Sequence, residues 1–322
     1  MIPISVGIHL YFLKKSQKRE MKKYNITAER WASQHKPVLG GVGFFLGFVI
    51  GVVVWIFIGR LFGHDSYNDL PLNVIMAVML AFVMGLIDDI FSTSPAFKFV
   101  MQFVVGLILI STGIYINIFG NQWANYAFTM LWVVGIMNSL NMLDNMDSVT
   151  NTMCVIVLAC VMFYMLSRTA DVFSMLTSAG VLAALVAFYS VNLHPAKMYM
   201  GDNGSQMLGA LMAIVSIRYL WNPAAQIMPD NLLFPFLIVY LAFLVPITDT
   251  ATVTINRIMR GQSPFVGGCD HTTHFLSYRF GSDKKVVLVL ATINLVSMTI
   301  ALTFLLFPPK TSFVLWAAGL IA

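Results

Sequence analysis

The run VLGGVGFFLGFVIGVVVWIFIGR, residues 38–60, carries no charged side chain before Arg60. About 20 apolar residues in a helix cross the hydrocarbon core of a bilayer, so this run predicts a membrane-spanning helix. The whole chain has the same character, because 58% of its 322 residues are hydrophobic and only 10% are charged. A soluble domain carries about 25% charged residues. So little charge cannot cover a water-facing surface of this size, which excludes a soluble globular protein.

The chain contains eleven candidate membrane segments, of which this run is the second. They are residues 1–13, 38–60, 72–87, 97–117, 123–141, 150–167, 173–191, 204–220, 232–252, 286–307 and 312–322. We therefore expect an all-α, polytopic transmembrane bundle of about 10–11 helices, forming one integral-membrane domain over residues 1–322. The three cysteines have no metal-ligand spacing, so neither a zinc site nor a disulfide framework is expected.

The connections between these segments differ in charge from one side of the membrane to the other. If the connections are numbered along the chain, the odd-numbered ones all lie on one side of the membrane. They are residues 14–37, 88–96, 142–149, 192–203 and 253–285. When each Lys and Arg is assigned to its nearer side, this side holds 15 of the 19. The positive-inside rule then places these connections in the cytoplasm. The basic run from Lys14 to Lys23 is interpreted as a juxtamembrane anchor to anionic lipid headgroups.

The first of four polar motifs on this face is GLIDD, residues 85–89, at the end of an apolar run. Carboxylates at a membrane boundary are costly and commonly functional. Adjacent helical residues point about 100° apart, so we expect one of Asp88 and Asp89 to serve chemistry and the other to orient a neighbour. Lys98, nine residues beyond Asp89, could return to the same site. A solvated helix end is the structural alternative.

The second motif is NSLNMLDNMDS, residues 138–148. Asn141, Asp144 and Ser148 fall at helical spacing, and so do Asp144 and Asp147. Such a helix would carry an acidic, amide-rich stripe. A plain helix cap with polar loop groups is the alternative.

The third motif is NLHPAKMYMGDNGS, residues 192–205, in which glycines flank Asp202 just before an apolar helix. A helix N-terminus suits a phosphate, and a carboxylate beside it could hold Mg²⁺. The alternative is that Asp202 is an ordinary cap. The fourth motif, GQSPFVGGCDHTTH, residues 261–274, could form a metal site or a phosphate clamp through its histidines. H-x-x-H alone is weak evidence for either.

Together the motifs suit the transfer of a sugar phosphate to a lipid phosphate. Both reactants are anionic, so joining them needs cations, which Mg²⁺, Lys98 and the basic loops could supply. Phosphoryl transfer depends mainly on positioning and charge stabilisation. A secondary transporter is the main alternative class, but its ionisable groups would lie near the membrane midplane, and no internal repeat is visible.

From His35-Lys36-Pro37-Val38-Leu39-Gly40-Gly41 to His274, these motifs resemble the polyprenyl-phosphate N-acetylhexosamine-1-phosphate transferase family. Its members include undecaprenyl-phosphate GlcNAc-1-phosphate transferase and phospho-MurNAc-pentapeptide translocase. The resemblance implies a multi-pass enzyme of a bacterial-type inner membrane, with its active site in the cytoplasm and Mg²⁺ (or Mn²⁺) as cofactor. It implies a UDP-sugar donor and undecaprenyl phosphate as acceptor. The products would be UMP and a polyprenyl-diphospho-sugar that starts a cell-envelope glycopolymer.

The resemblance also implies roles for individual residues. It assigns four acids to the catalytic centre: Asp88, Asp89, Asp144 and Asp147. It makes Asp202 a magnesium ligand. It assigns six residues to substrate binding, with Asn192 and Tyr199 near the uracil: Lys98, Asn141, Asn192, Tyr199, His271 and His274. No nucleic-acid partner is expected, and a homo-oligomer is left open.

The chain departs from the family pattern in two motifs. Many relatives have Asp-Gly-x-Asp-Gly where this chain has Asp144-Asn145-Met146-Asp147-Ser148. The fourth motif is Asp-His-x-x-His, and Lys36 to Gly41 lacks the translocase's Thr-Pro-Thr-Met-Gly-Gly. These differences favour the aminosugar branch over phospho-MurNAc-pentapeptide transfer and leave the sugar open. They also keep an inactive relative, acting as a membrane scaffold, as a third hypothesis.

Overall fold

The computed structural model describes residues 1–24, 36–61, 71–169, 171–263 and 270–310. The predicted segment 312–322, His35 and residues 264–269 of the fourth motif lie outside these ranges. Throughout the described ranges the chain is helical and forms no β-strand, apart from one isolated parallel bridge between Val38 and Tyr199. The all-α prediction is confirmed.

Thirteen helices and one π-helical turn follow one another in the described part of the chain. They are α1 (Ile2–Tyr24), α2 (Gly40–Leu61), α3 (Leu72–Phe91), α4 (Pro95–Ser111), α5 (Gln122–Leu143), α6 (Val149–Arg168), α7 (Val172–Asn192), α8 (Asp202–Ser216), the π-turn (Ile217–Trp221), α9 (Asn222–Ile227), α10 (Leu233–Ala242), α11 (Leu244–Met259), α12 (Thr272–Phe280) and α13 (Asp283–Leu306).

Six of these helices, α2, α3, α5, α6, α7 and α13, are long and apolar enough to cross a membrane. The bent pair α10 and α11 raises the number to seven if it counts as one span. The chain is therefore a multi-pass helical membrane protein, as predicted. The predicted span 97–117 is shorter in the structure, because α4 ends at Ser111 and a turn with positive φ at Gly113 follows.

The predicted segment 232–252 is divided in the structure between two helices, α10 and α11. The chain leaves the helical conformation at Phe243, and α10 and α11 meet at an angle of 92°. Pro246 lies in the first turn of α11. Proline has no backbone N–H to continue the hydrogen-bond ladder of a preceding helix, but it is tolerated in the first turn of a new one. The sequence around Pro246 therefore favours a helix that stops and restarts.

The core of the bundle is built around α8. Every residue from Asn203 to Ser216 is buried, and α2, α3, α5 and α6 all pack against this helix. Gly85 of α3 allows the closest approach, because a Cβ at this position would overlap with the backbone carbonyl of Asp202. The end of α3, which carries Asp88 and Asp89, is thereby brought directly against the first turn of α8.

Candidate active site

Lys98 joins two of the predicted acidic residues. Ser94 caps α4 and Pro95 begins it, which places Lys98 in the first turn of this helix. Its Nζ lies 2.5 Å from Oδ2 of Asp88 on α3 and 2.5 Å from Oδ2 of Asp202 on α8. One ammonium therefore bridges carboxylates from two other helices, and all three side chains are largely shielded from solvent.

The neighbouring acid, Asp89, faces a different partner. Its Oδ1 and Oδ2 accept hydrogen bonds of 2.9 Å from the backbone N–H groups of Asp202 and Asn203, and the Asn203 side chain donates a further bond. These N–H groups have no partner within α8, because they belong to its first turn. Asp89 thus caps α8 from outside, while Asp88 holds Lys98. The two adjacent acids have separate positions, as the helical geometry predicted.

Asn141 and Asp144 bring the second motif to the same place. Asn141 Nδ2 donates to Oδ1 of Asp202 and to Oγ of Ser205, each over 2.9 Å. Asp144 follows the end of α5, and no hydrogen-bond donor among the described residues contacts its carboxyl. Burial raises the pKa of Asp144 to about 7, and the negative charges of Asp202, Asp89 and Asp147 add to the increase.

The side chain of Asp147, a residue of the second motif, contacts the third motif. Its Oδ2 is 3.0 Å from Nδ1 of His194 and accepts a hydrogen bond of 2.9 Å from the backbone N–H of Ala196. Asp283, at the start of α13, lies on the other side of the same histidine nitrogen at 3.6 Å. Asp147 therefore connects the second motif to the loop before Asp202.

The side chain of Asn192 is buried and bonded at both ends. It accepts a hydrogen bond of 3.0 Å from the backbone N–H of Ser148 and donates one of 3.0 Å to the carbonyl of Met198. This residue shapes the loop between α7 and α8, and its predicted contact with a uracil stays a prediction.

A cavity of about 330 Å³ opens beside these acids. Its walls come from the segment before α2 and from the first, second and third motifs: Val38, Asp89, Asp144, Asn145, Met146, Asp147, Asn192, Tyr199, Gly201 and Asp202. Tyr199 is held at the rim by its parallel bridge to Val38, and the Lys36 ammonium lies 4.9 Å from the centre of its ring. The predicted residues of three motifs thus surround one space.

His271 and His274 line a different cavity, of about 510 Å³, between α11 and α12. Nδ1 of His271 lies 2.9 Å from Oδ2 of Asp249, whose other oxygen accepts a bond of 2.7 Å from the backbone N–H of Thr272. The structure therefore separates the two histidines from the acidic cavity, although Thr273, between them in sequence, bonds to Asn145.

A second ion pair joins α11 to the residues just before α12. Arg257 donates two hydrogen bonds, of 2.8 and 2.6 Å, to the carboxylate of Asp270. These bonds lower the pKa of Asp270 to about 2. Asp249 and Arg257 both lie on α11, so one helix contacts the last part of the fourth motif at two points.

The sequence shows similarity that agrees with this arrangement. Residues 71–220 match the family described as glycosyl transferase family 4. A probable undecaprenyl-phosphate N-acetylglucosaminyl 1-phosphate transferase of Bacillus subtilis is 30% identical over 270 residues, which cover 81% of this chain and 71% of the relative. The chain belongs to glycosyl transferase family 4. The resemblance seen in the four motifs is thereby confirmed.

Relatives from two branches share this similarity. The decaprenyl-phosphate N-acetylglucosaminephosphotransferase of Mycolicibacterium smegmatis is 26% identical over 317 residues, covering 90% of this chain and 77% of the relative. A phospho-N-acetylmuramoyl-pentapeptide-transferase of Streptococcus equi subsp. zooepidemicus is 30% identical over 229 residues, covering 65% and 67%. Family membership alone does not choose between an aminosugar and a muramoyl-pentapeptide donor.

The acidic residues of the candidate site can be compared with the ligands that a divalent cation needs. In the described ranges, no three His, Cys, Asp or Glu side chains are arranged to hold a metal ion by themselves. Mg²⁺, however, commonly takes only one or two carboxylates and completes its shell with water and substrate phosphates. Asp144 and Asp202 both line the cavity, and Asp144 lacks a described donor. A cation would offset the accumulated negative charge, so these residues fit a Mg²⁺ that substrate completes.

Asp249, Arg257 and Asp270 were not among the residues predicted for the candidate site. A signal was present, because Asp249 is an acid within an apolar segment, and such residues are expensive unless they are paired. Arg257 follows eight residues later, close to the same side of a helix. Their partners were not predictable, since Asp270 and His271 meet α11 only through tertiary contacts.

Proposed function

We propose that this protein transfers an N-acetylhexosamine 1-phosphate from a UDP-sugar to undecaprenyl phosphate or a similar polyprenyl phosphate. The observation that carries the proposal is the bridge of Lys98 between Asp88 and Asp202, beside a cavity lined by three further acids. This arrangement gathers one fixed cation and several carboxylates at a single end of the bundle. Two anionic reactants and a divalent ion need such a place.

The reaction we propose is a displacement at phosphorus. An oxygen of the lipid phosphate attacks the sugar-linked phosphorus of the UDP-sugar. The bond from that phosphorus to the bridging oxygen breaks, and UMP leaves with this oxygen. The products are UMP and polyprenyl-diphospho-sugar. Mg²⁺, when bound, would neutralise phosphate oxygens and assist the leaving group.

The residues of the chain take distinct parts in this proposal. Lys98 would meet phosphate oxygens, and Asp88 would orient Lys98 or receive a proton from the acceptor. Asp202 and Asp144 would hold the Mg²⁺, with Asn141 fixing the orientation of Asp202. Asp89 would position α8 and remain outside the bond-making steps.

An apolar cavity supports a lipid acceptor. Its volume is about 330 Å³, and it lies where α10 and α11 bend apart. Its walls are mainly apolar side chains of α5 and α10 to α13, including Leu143, Tyr240, Leu244, Val245, Leu276, Leu290 and Ile293. Asp249 and Thr272 also line it, so an isoprenoid chain lying here would run toward the loop of the fourth motif.

The proposed orientation puts the site in the cytoplasm of a bacterial-type inner membrane, where UDP-sugars are made. The support is the charge bias, since the connections that converge on the site carry 15 of the 19 Lys and Arg. Contacts such as Lys98 to Asp202 and His194 to Asp283 join these connections at one end of the bundle.

The test is a panel of UDP-sugars with undecaprenyl phosphate in detergent, with Mg²⁺, with Mn²⁺ and with chelator. UDP-GlcNAc should release UMP and label the lipid only when donor, acceptor and cation are all present. Product from UDP-MurNAc-pentapeptide alone would move the protein to the other branch. Asp202→Ala should abolish turnover, whereas Asp230→Ala, at an exposed acid, should retain it. Absence of product with every donor would overturn the proposal.

A further inference from the structure

A second layer of polar side chains lies one helical turn deeper in the bundle than the Lys98 bridge. Its members are Gln102, Asn138 and Gln206. Each stands one turn from a residue of the candidate site on the same helix: Gln102 from Lys98 on α4, Asn138 from Asn141 on α5, and Gln206 from Asp202 on α8. The same three helices therefore meet through polar contacts twice, once at the site and once beneath it.

The contacts within this layer are specific. Gln102 and Asn138 exchange two amide hydrogen bonds, of 3.1 and 2.8 Å. Gln102 Nε2 also donates to Oε1 of Gln206 over 3.1 Å. Gln102 is fully buried and Gln206 is 1% exposed. Gln102 is thus the centre of the layer, in contact with both other helices.

The layer is a poor device for stability alone. Buried amides in an apolar interior are costly, and hydrogen bonds between membrane helices contribute little net free energy. Nε2 of Gln206 has no hydrogen-bond partner among the described residues, so the layer is not fully satisfied. Apolar side chains of similar volume would fill the same space without this cost. A role in the candidate site, one helical turn above, explains why amide side chains occupy these three positions.

We propose that Gln102 is a positioning residue, which together with Asn138 and Gln206 fixes the register of α4 and α8 so that Lys98 Nζ lies between Asp88 and Asp202. The inference rests on the proposed function, because it assumes that Lys98 meets the reacting phosphates. Lysine ends in a point charge on a flexible stem, so the position of its helix decides which oxygens it reaches. An error of about 1 Å in such a position can cost about 100-fold in rate.

The first test compares Gln102→Leu with Asn294→Leu. Asn294 of α13 is also a fully buried amide, and neither of its polar atoms has a partner among the described residues, so it is a matched control. In Gln102→Leu we expect kcat to fall by about tenfold or more with the donor KM nearly unchanged. The melting temperature should fall as well, because the buried amides of Asn138 and Gln206 lose their partner. Asn294→Leu should change neither kcat nor KM. Full activity of a folded Gln102→Leu would overturn the proposal.

A second readout does not depend on catalysis. In protein without substrate, the reaction of Lys98 with an amine-specific reagent can be followed by mass spectrometry of the peptide. Loss of its register should make Lys98 several-fold more reactive in Gln102→Leu and leave it unchanged in Asn294→Leu. Equal protection of Lys98 in both variants would contradict the proposed path of action.

Two further variants separate positioning from folding. Replacing Gln102, Asn138 and Gln206 together by Leu leaves no unpaired amide in this layer, so this protein should fold and melt no lower than the wild type while losing turnover. Gln102→Leu in a Lys98→Met background should add no further loss, because both changes act on the same group. Failure of both leucine variants to fold, or losses that multiply, would assign the layer a purely structural role and overturn the proposal.

Wild-type activity in the same assay tests the proposed function by itself. A wild type that forms no lipid product sinks the proposed function, while the Lys98 reactivity still tests whether the layer sets the position of this residue. An active wild type with an equally active Gln102→Leu sinks only the present inference.

Discussion

The hydroxyl of Thr273 donates a hydrogen bond of 2.5 Å to Oδ1 of Asn145, although 128 residues separate the two in sequence. Asn145 belongs to the second motif, and Thr273 belongs to the fourth. Asn145 lines the acidic cavity and Thr273 lines the apolar one. The second and fourth motifs therefore contact each other, at the point where the acidic and apolar cavities approach.

Thr273→Val tests this contact, because it removes the hydroxyl and keeps the shape. A neutral hydrogen bond contributes about 1 kcal/mol, so we expect turnover to fall by about fivefold while the fold is retained. Initial rates of UMP release and the melting temperature in detergent measure the two effects. Thr292→Val, at an exposed threonine of α13, is the matched control and should be neutral. Equal rates for both variants would show that the contact has no role in turnover.

Substitutions of the adjacent acids Asp88 and Asp89 should affect different properties of the protein, turnover in one case and stability in the other. Asp89→Asn places an amide against the N–H groups of α8, which should lower the free energy of unfolding by about 1–3 kcal/mol. Asp88→Asn keeps an oxygen for Thr93 and Lys98, so its melting temperature should stay close to that of the wild type while turnover is lost. Thermal unfolding and product formation, measured on the same preparations, distinguish the two. Equal destabilisation by both changes would contradict this division.

The affinity for a divalent cation should depend on pH through Asp144. Its pKa is raised to about 7, so without metal the carboxyl is largely protonated below that pH and ionised above it. A cation binds the ionised form and must displace the proton. The Mg²⁺ concentration for half-maximal activity should therefore rise by up to about tenfold for each pH unit below about 7 and level off above it.

Mn²⁺ binding followed by electron paramagnetic resonance gives the same dependence without an activity assay. Asp230→Asn should preserve the pH dependence, because Asp230 is exposed and is not among the residues that line the cavity. In Asp144→Asn the pH dependence should disappear together with much of the affinity. A wild-type affinity that stays constant from about pH 5.5 to about pH 8 would exclude Asp144 as a ligand with this pKa.

The end of α11 should become more accessible to protease when the ion pair between Arg257 and Asp270 is removed. Arg257→Leu leaves Asp270 without its bidentate partner, so trypsin should cleave after the exposed Arg260 several-fold faster. Lys284→Met, at an exposed lysine, controls for the loss of one positive charge.

The pKa of Asp270 sets the pH range of this effect. A lowered carboxyl pKa means that the ion pair is complete above about pH 4 and is lost as the pH falls through about 2. The difference between Arg257→Leu and wild type should therefore stay the same from about pH 6 to about pH 9. No increase in cleavage at any of these pH values would show that the pair does not protect the chain at Arg260.

Much of the site was predictable because its residues stand at special places along the chain. Asp88, Asp89 and Asp202 interrupt or border apolar runs, where an acid is expensive without a purpose. Lys98 and Gln102 are spaced by one helical turn, which indicates a common face. By contrast, His271 and His274 are placed by contacts with α11, and no spacing within their own motif indicates that they line a cavity separate from the acids.

The amino-acid sequence is enough to predict a helical membrane protein of several spans, and to predict which polar residues lie at the ends of those spans. Both follow from local properties, since an apolar run of sufficient length is stable only in lipid or in a core, and charges mark where it ends. Three features become visible only when the helices are packed: Asp88 pairs with Lys98 while Asp89 caps α8, the chain bends at Phe243, and Asp249 bonds to His271. These outcomes depend on which helices pack together, and packing brings into contact residues as distant as Lys98 and Asp202, which no short stretch of sequence can specify.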